Sequence, residues 1–170
     1  MPGSLERRAV SGQAPTTVPV SWPATSPRST SPRAPEDLFA YLSDFSSAKD
    51  WDPGVVDASR DGTGQVAVGT EFRLVAAFMG RKVPLTYVVT ALEAPRTVTF
   101  RGENAGVVSL DTISFEPHGE GTRVTYDADL RLKGPGRLAD PLLKLVFTRI
   151  GDKAAGGLRE ALGGRPTRDA

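Results

Sequence analysis

The chain has 170 residues, a formal net charge of +1, no cysteine and one histidine, enough for one domain with a real hydrophobic core plus a tail. Without cysteine there are no disulfides, thiolate metal sites or cysteine nucleophiles, and a lone histidine supports neither a Ser-His-Asp triad nor a histidine metal site. No apolar run approaches the roughly 20 residues of a membrane span, and the N-terminus lacks the apolar core of a secretory signal, so the expectation is a cytoplasmic protein without stable membrane insertion.

Charge is unevenly placed. Residues 1–35 carry Arg7, Arg8, Arg28 and Arg33 against Glu6, which leaves the remainder slightly acidic and without a basic footprint for nucleic acid. Residues 1–33 are rich in Pro, Ser, Thr and Arg. Such a composition buries too little apolar surface to offset its ordering entropy, so a disordered tail is expected. Within it TTVPVSW, residues 16–22, is the candidate for a first, edge strand, weakened by Pro19 and Pro23. Ala34-Pro35-Glu36-Asp37 then opens a helix, with proline in the first turn and acids at the positive end of the dipole. Leu38, Phe39, Tyr41, Leu42 and Phe45 give it a buried face. A short second helix through Ser46 to Trp51 ends at Pro53-Gly54.

From Val55 the apolar period changes from helical to two. Val55 to Ser59 is a short strand, closed by the turn Asp61-Gly62-Thr63-Gly64. Phe72, Leu74, Ala76 and Phe78 share one face of the next strand, Thr70 to Met79, and Gly80-Arg81 turns the chain. Val83, Leu85, Tyr87, Val89 and Ala91 alternate on the way back. After the turn at Glu93-Ala94-Pro95-Arg96 come Val98 and Phe100, then a turn at Asn104-Ala105-Gly106. Val107, Ser109, Asp111, Ile113 and Phe115 share a face. His118-Gly119-Glu120-Gly121 forms a hairpin loop, and Val124, Tyr126, Ala128, Leu130 and Leu132 line the last strand. Short alternating runs joined by tight turns predict an antiparallel meander with one apolar face.

Residues 134–162 predict a single long helix, about 35 Å in length. Gly134-Pro135-Gly136 ends what precedes it, Asp140 and Pro141 suit the cap and first turn, and Gly163-Gly164 stops it. Leu143, Val146, Phe147, Ile150, Ala154, Gly157, Leu158 and Ala161 form its apolar stripe. Gly156 and Gly157 each cost roughly 1 kcal/mol against alanine inside a helix, so a close backbone approach is expected there. The remaining residues, 164–170, read as a flexible end. The fold class is α+β: two short helices, a curved antiparallel sheet of six or seven strands, and a long C-terminal helix laid across its concave side. An apolar gap left between sheet and helix suits a small hydrophobic ligand.

These residues resemble the SRPBCC superfamily, the START-like helix-grip proteins, over residues 34–162. The opening Ala34-Pro35-Glu36-Asp37-Leu38-Phe39-Ala40-Tyr41-Leu42 followed by Trp51 carries the likeness, as do Val68-Gly69-Thr70-Glu71-Phe72, Phe115-Glu116-Pro117, Gly121-Thr122-Arg123-Val124-Thr125-Tyr126 and the final helix. The pattern is nearest to polyketide cyclase/dehydrase and lipid-transport-like proteins. It implies a helix-grip domain over 34–163 with a hydrophobic cavity between sheet and helix. One departure stands out. The family places its first strand directly before the Ala-Pro-Glu motif, where this chain has SPRSTSPR. Either TTVPVSW supplies that strand through a linker, or the strand is missing and a sheet edge is exposed, or the chain start is aberrant.

Tyr87 and Asp111 both fall on the apolar, helix-facing side. Desolvation raises the pKa of such an aspartate and makes it a proton donor or base for a carbonyl ligand; the alternative is a cavity-mouth position paired with an arginine. Trp51, Phe72, Phe78, Tyr87, Phe100, Asp111, Tyr126 and Phe147 are the candidate ligand-lining set, each also acceptable as plain core. His118 reads as a solvated turn residue, and Gly62-Thr63-Gly64-Gln65-Val66-Ala67 lacks the strand–helix context of a dinucleotide fingerprint. Asp50, Asp52, Asp57 and Asp61 crowd one loop, but Val55 stands where a calcium loop needs glycine, and Arg149 and Asp152 lie beside the helix stripe as surface or mouth residues. No metal and no cofactor are expected. The first expectation is a binding module for a lipid, quinone or polyketide-like molecule, as monomer or homodimer. An aromatase/cyclase-like enzyme and an interaction protein using the tail or sheet edge are the alternatives.

Overall fold

The computed structural model describes residues 28–78, 80–133 and 141–163. The expected strand at 16–22, the cap at Asp140, Met79 and the segment 164–170 lie outside them. The elements in order are β1 (Arg28–Ser31), α1 (Pro35–Ser43), a 3-10 turn (Phe45–Ser47), α2 (Ala48–Trp51), β2 (Val55–Arg60), β3 (Glu71–Phe78), β4 (Arg81–Glu93), β5 (Thr97–Glu103), β6 (Val107–His118), β7 (Gly121–Leu132) and α3 (Pro141–Ala161). One seven-stranded antiparallel sheet runs β1-β7-β6-β5-β4-β3-β2. The meander pairs each strand with its sequence neighbour, and only β1 crosses over, to the far side of β7.

The helices cap the apolar face of the curled sheet. Leu38 and Leu42 of α1 are fully buried, and Phe39 meets Phe115 edge to face at 5.5 Å. Asp44 leaves the helical conformation after α1, and its carboxylate accepts from the Ser46 amide at 3.1 Å, which starts the 3-10 turn. Ala154, Leu158 and Leu162 join the same core from α3 and its first following residue. Ala161, expected on the apolar stripe, is exposed, and Leu162 is buried in its place. The helix ends there, with Gly163 at φ +63°, a conformation that glycine adopts at little cost.

Three local expectations need correction. The strand next to the Ala-Pro-Glu motif is present, built from Arg28-Ser29-Thr30-Ser31, residues assigned to the tail on composition. It pairs with Thr122–Thr125 of β7 through backbone bonds, which do not require apolar side chains. Serine suits the place. Ser31 Oγ donates to the Leu162 carbonyl at 2.9 Å, satisfying an acceptor past the end of α3, and Thr122 Oγ1 donates to the Arg33 carbonyl at 2.8 Å. In β4 the register shifts between Val89 and Ala91, so Ala91 turns outward and Leu92 packs on the core instead. The third concerns the glycine pair. Only Gly157 lies in a close approach, its α-carbon so near the Trp51 carbonyl that an added Cβ would overlap it. Gly156 faces open space.

Gly157→Ala and Gly156→Ala are therefore expected to move stability in opposite directions. The Gly156 change raises it by up to about 1 kcal/mol through helix propensity. The Gly157 change lowers it by about 1–3 kcal/mol by forcing α3 off α2. Urea denaturation of the two variants measures both; equal shifts would mean that the helix does not depend on this contact.

Candidate functional site

Alternation in the central strands puts a polar group on an otherwise apolar face. Asp111 of β6 is opposite Phe100 of β5 and Ala128 of β7. Ser109, two residues earlier, shares its face. Ser109 Oγ donates to Asp111 Oδ2 at 2.8 Å, and the Tyr126 hydroxyl donates to Oδ1 at 2.9 Å. Tyr87 reaches the pair from β4, with β5 in between. It can do so because Gly102 lies between Tyr87 and Ser109 in the register, and a Cβ on Gly102 would overlap the Tyr87 ring. The phenol thus passes over a bare backbone and interacts with both Ser109 and Asp111.

Asp111 is 2 % exposed. Burial pushes its carboxyl up to about 6, against the opposing pull of the hydrogen bonds from Ser109, Tyr126 and Tyr87, while the nearby Asp52 charge adds to the rise. Among the described residues, the partners of Asp111 are hydroxyls and no arginine is paired with it. Tyr87 and Tyr126 are both held well above the usual phenol range, first by burial and then by the Asp111 charge. Both phenols are therefore neutral donors throughout the physiological range.

Aromatic packing closes the interior on the α2 side of this cluster. Phe45 stacks on Phe100 with ring centroids 4.3 Å apart and presents itself to Tyr87 at 5.0 Å and to Phe72 at 6.4 Å. Trp51 meets Tyr126 edge to face at 5.6 Å and donates its indole N–H to Ser47 at 3.3 Å. Of the candidate lining residues, Trp51, Phe72, Phe100 and Tyr126 are thus brought together as packed core beside Asp111 and Tyr87. Phe78 is half-buried at the end of β3, and the side chain of Phe147 lies outside the described residues. Away from the aromatics the same sheet face continues as Val83, Leu85, Val107, Leu130 and Leu132, all half-buried. Ala128, directly opposite Asp111, is exposed. Among the described residues, the apolar floor is therefore open beside the carboxylate at Ala128.

Reasoning from sequence missed Gly102 as a site residue, and also Ser109, whose position two residues before Asp111 was its available signal. The acids near α2 serve the local chain. Asp52 accepts from the Gly54 amide at 2.7 Å, and Asp61 pairs with Arg73 at 2.7 Å. Among the described residues no group of three or more His, Cys, Asp or Glu is arranged to hold a metal, and no helix is long and apolar enough to cross a membrane. His118 lies against Arg123 at 2.9 Å on the β6–β7 hairpin. An open cleft of about 350 Å³ at the α2–α3 junction is lined by Lys49, Asp50, Asp52 and Glu160; Trp51, also in its wall, stands between it and Tyr126.

Comparison with known proteins agrees with this architecture. The sequence pattern of the family described as polyketide cyclase/dehydrase and lipid transport matches residues 24–163. A START superfamily protein from Mycobacterium smegmatis superposes with a TM-score of 0.65 at 17% identity, over 81% of this chain and 95% of its own. A Thermus thermophilus protein gives 0.62 at 23% identity, over 79% and 93%. The di-domain ARO/CYC StfQ from the steffimycin biosynthetic pathway gives 0.61 at 15% identity, over 80% of this chain and 48% of that one. At these identities the likenesses establish the START-like helix-grip fold. Comparison with curated protein sequences returns no match.

The raised carboxyl of Asp111 makes stability depend on pH with a definite sign. Its folded value, about 6, lies above the usual 3.8, so the folded chain binds the extra proton between those limits and loses stability as pH rises through them. The loss is on the order of 3 kcal/mol, complete above the folded value. Asp111→Asn is expected to lack this slope, so the stability difference between the two proteins should change from about pH 4 to about pH 6 and level off above. Urea midpoints across that window test it, and parallel curves would contradict a buried, titrating Asp111.

Proposed function

Because the chain belongs to the polyketide cyclase/dehydrase and lipid transport family, we propose that it holds a hydrophobic small molecule on the concave face of its sheet. The ligand's polar end meets Asp111, and its apolar body lies on Val83, Leu85, Val107, Leu130 and Leu132. One observation carries this reading: a buried carboxylate ringed by hydroxyls stands at the edge of a half-buried apolar floor, with exposed Ala128 beside it. A floor of that kind favours apolar surface, and a few convergent polar groups orient what lies on it. Lipids, quinones and polyketide-like molecules all have this shape of chemistry.

A second reading is supported by the pKa of Asp111. A carboxyl near 6 beside two neutral phenols is poised for proton transfer, as an aromatase/cyclase-like enzyme acting on a polyketone would need. In that reading Asp111, once protonated, exchanges its proton with an enolising carbonyl, and Tyr87 or Tyr126, then released from the charged carboxylate, donates to its oxygen.

Mass spectrometry of the purified protein under native conditions is expected to show a copurified apolar molecule, or binding of an added apolar fluorophore. Leu85→Lys should weaken fluorophore binding roughly tenfold or more with the circular dichroism unchanged; undiminished binding would place the ligand elsewhere. For the catalytic reading, Asp111→Asn should abolish turnover of a poly-β-ketone substrate while leaving its binding measurable. Unchanged turnover would remove Asp111 from the chemistry.

A further inference from the structure

The binding site proposed above has a hydrogen-bond polarity that follows from counting protons. Ser109 and Tyr126 each have one hydroxyl proton, and both are spent on Asp111, one on each carboxylate oxygen. Tyr87 has one more, and its phenol favours the charged form of Asp111, as a donor to that carboxylate does. While Asp111 is ionised, the cluster has no proton left to offer. What it presents to the floor is lone pairs: those of the hydroxyl oxygens and the unused ones of the carboxylate. Among the described residues its charge has no cation as a partner, and the acid that acts on it, Asp52, has the same sign.

We propose that the ligand reaches this cluster with a hydrogen-bond donor, a hydroxyl or an amine on an apolar body, and that molecules ending in a carboxylate or a bare carbonyl are disfavoured. A ligand O–H or N–H can donate to a lone pair of the carboxylate that Ser109 and Tyr126 do not use. A ligand carbonyl would find only other acceptors, and buried unpaired polar groups are costly on both sides. A ligand carboxylate adds a second buried negative charge to Asp111, with Asp52 nearby. The restriction is conditional on the charge of Asp111. Once the carboxyl takes up a proton it becomes a donor itself, and a Ser109 or Tyr126 proton is released from its charged acceptor. A carbonyl can then be held. The titratable groups that face Asp111 among the described residues are Tyr87 from β4, Tyr126 from β7 and Asp52 from the loop after α2. Both tyrosines stay neutral, so the change belongs to the carboxyl.

This inference rests on the binding reading, and the experiment separates the two. Four probes of one shape are titrated into the full chain by calorimetry or fluorescence: naphthalene, naphthylmethanol, naphthaldehyde and naphthoate. At about pH 8 the alcohol is expected to bind roughly tenfold tighter than the aldehyde, with naphthoate weakest. At about pH 5 the alcohol-to-aldehyde ratio should shrink severalfold as Asp111 gains its proton. Ser109→Ala removes a donor that favours the charged carboxyl, so it should move the pH at which the ratio changes upward, and Asp111→Asn should make the ratio independent of pH. If naphthalene binds but the other three follow no order, or naphthoate equals the alcohol, the donor rule is overturned and the binding site stands. If none of the four binds, the binding reading fails and the donor rule with it.

Discussion

Burial of one carboxylate organises the centre of this sheet. Taking an ionised aspartate out of water costs several kcal/mol unless hydrogen bonds replace the lost solvent. Here the replacement comes from three strands: Ser109 on β6 itself, Tyr126 on β7 and Tyr87 on β4. Strand registers must agree for those hydroxyls to converge. A slip of one residue in β7 would turn Tyr126 to the outer face and Asp127 inward. Gly102 is part of the same arrangement, since the Tyr87 ring occupies the space where any other residue would place a Cβ.

At the α2–α3 junction the described residues meet through close backbone contact. α3 approaches α2 through Gly157, where the Trp51 carbonyl takes up the space. Past its end, the Leu162 carbonyl accepts from Ser31 of β1. One contact tolerates no side chain and the other needs a small hydroxyl, so a serine-rich first strand and a glycine inside a long helix serve the same docking. Trp51 links this junction to the site. Its carbonyl receives α3, and its ring covers Tyr126, the donor to Asp111.

Binding and catalysis make different demands on the same four residues. A carrier needs the carboxylate as a fixed polar anchor, with the aromatic stack of Phe45 and Phe100 as a rigid wall. An enzyme needs it to exchange a proton near neutral pH, which a value near 6 permits. The family contains both kinds of activity in its description, and a fold of this type does not choose between them. The choice lies in whether a ligand's reacting carbon can stand within reach of Asp111, or only its terminal oxygen.

Much of this was legible from the sequence for physical reasons. Alternation with period two fixes which residues of a strand share a face, so Tyr87, Ser109, Asp111 and Tyr126 could be assigned to the apolar side before any coordinates. Turn glycines and the proline-opened helices set the element order, and that order carried the family resemblance. Other features were out of reach of pattern. Composition assigned Arg28 to Ser31 to the tail because it weighs side chains, whereas β1 is held by backbone bonds to β7 and by a helix-end carbonyl that is distant in sequence. The bulge in β4 broke an alternation that looked regular through Ala91. The sequence by itself therefore determined the faces, the element order and the family. Only the tertiary structure decided that Gly157 and not Gly156 receives α2, that Gly102 admits the Tyr87 ring, and that hydroxyls from three strands converge on Asp111. Each of those is a contact between residues on different elements, and local periodicity has no information about which strangers meet.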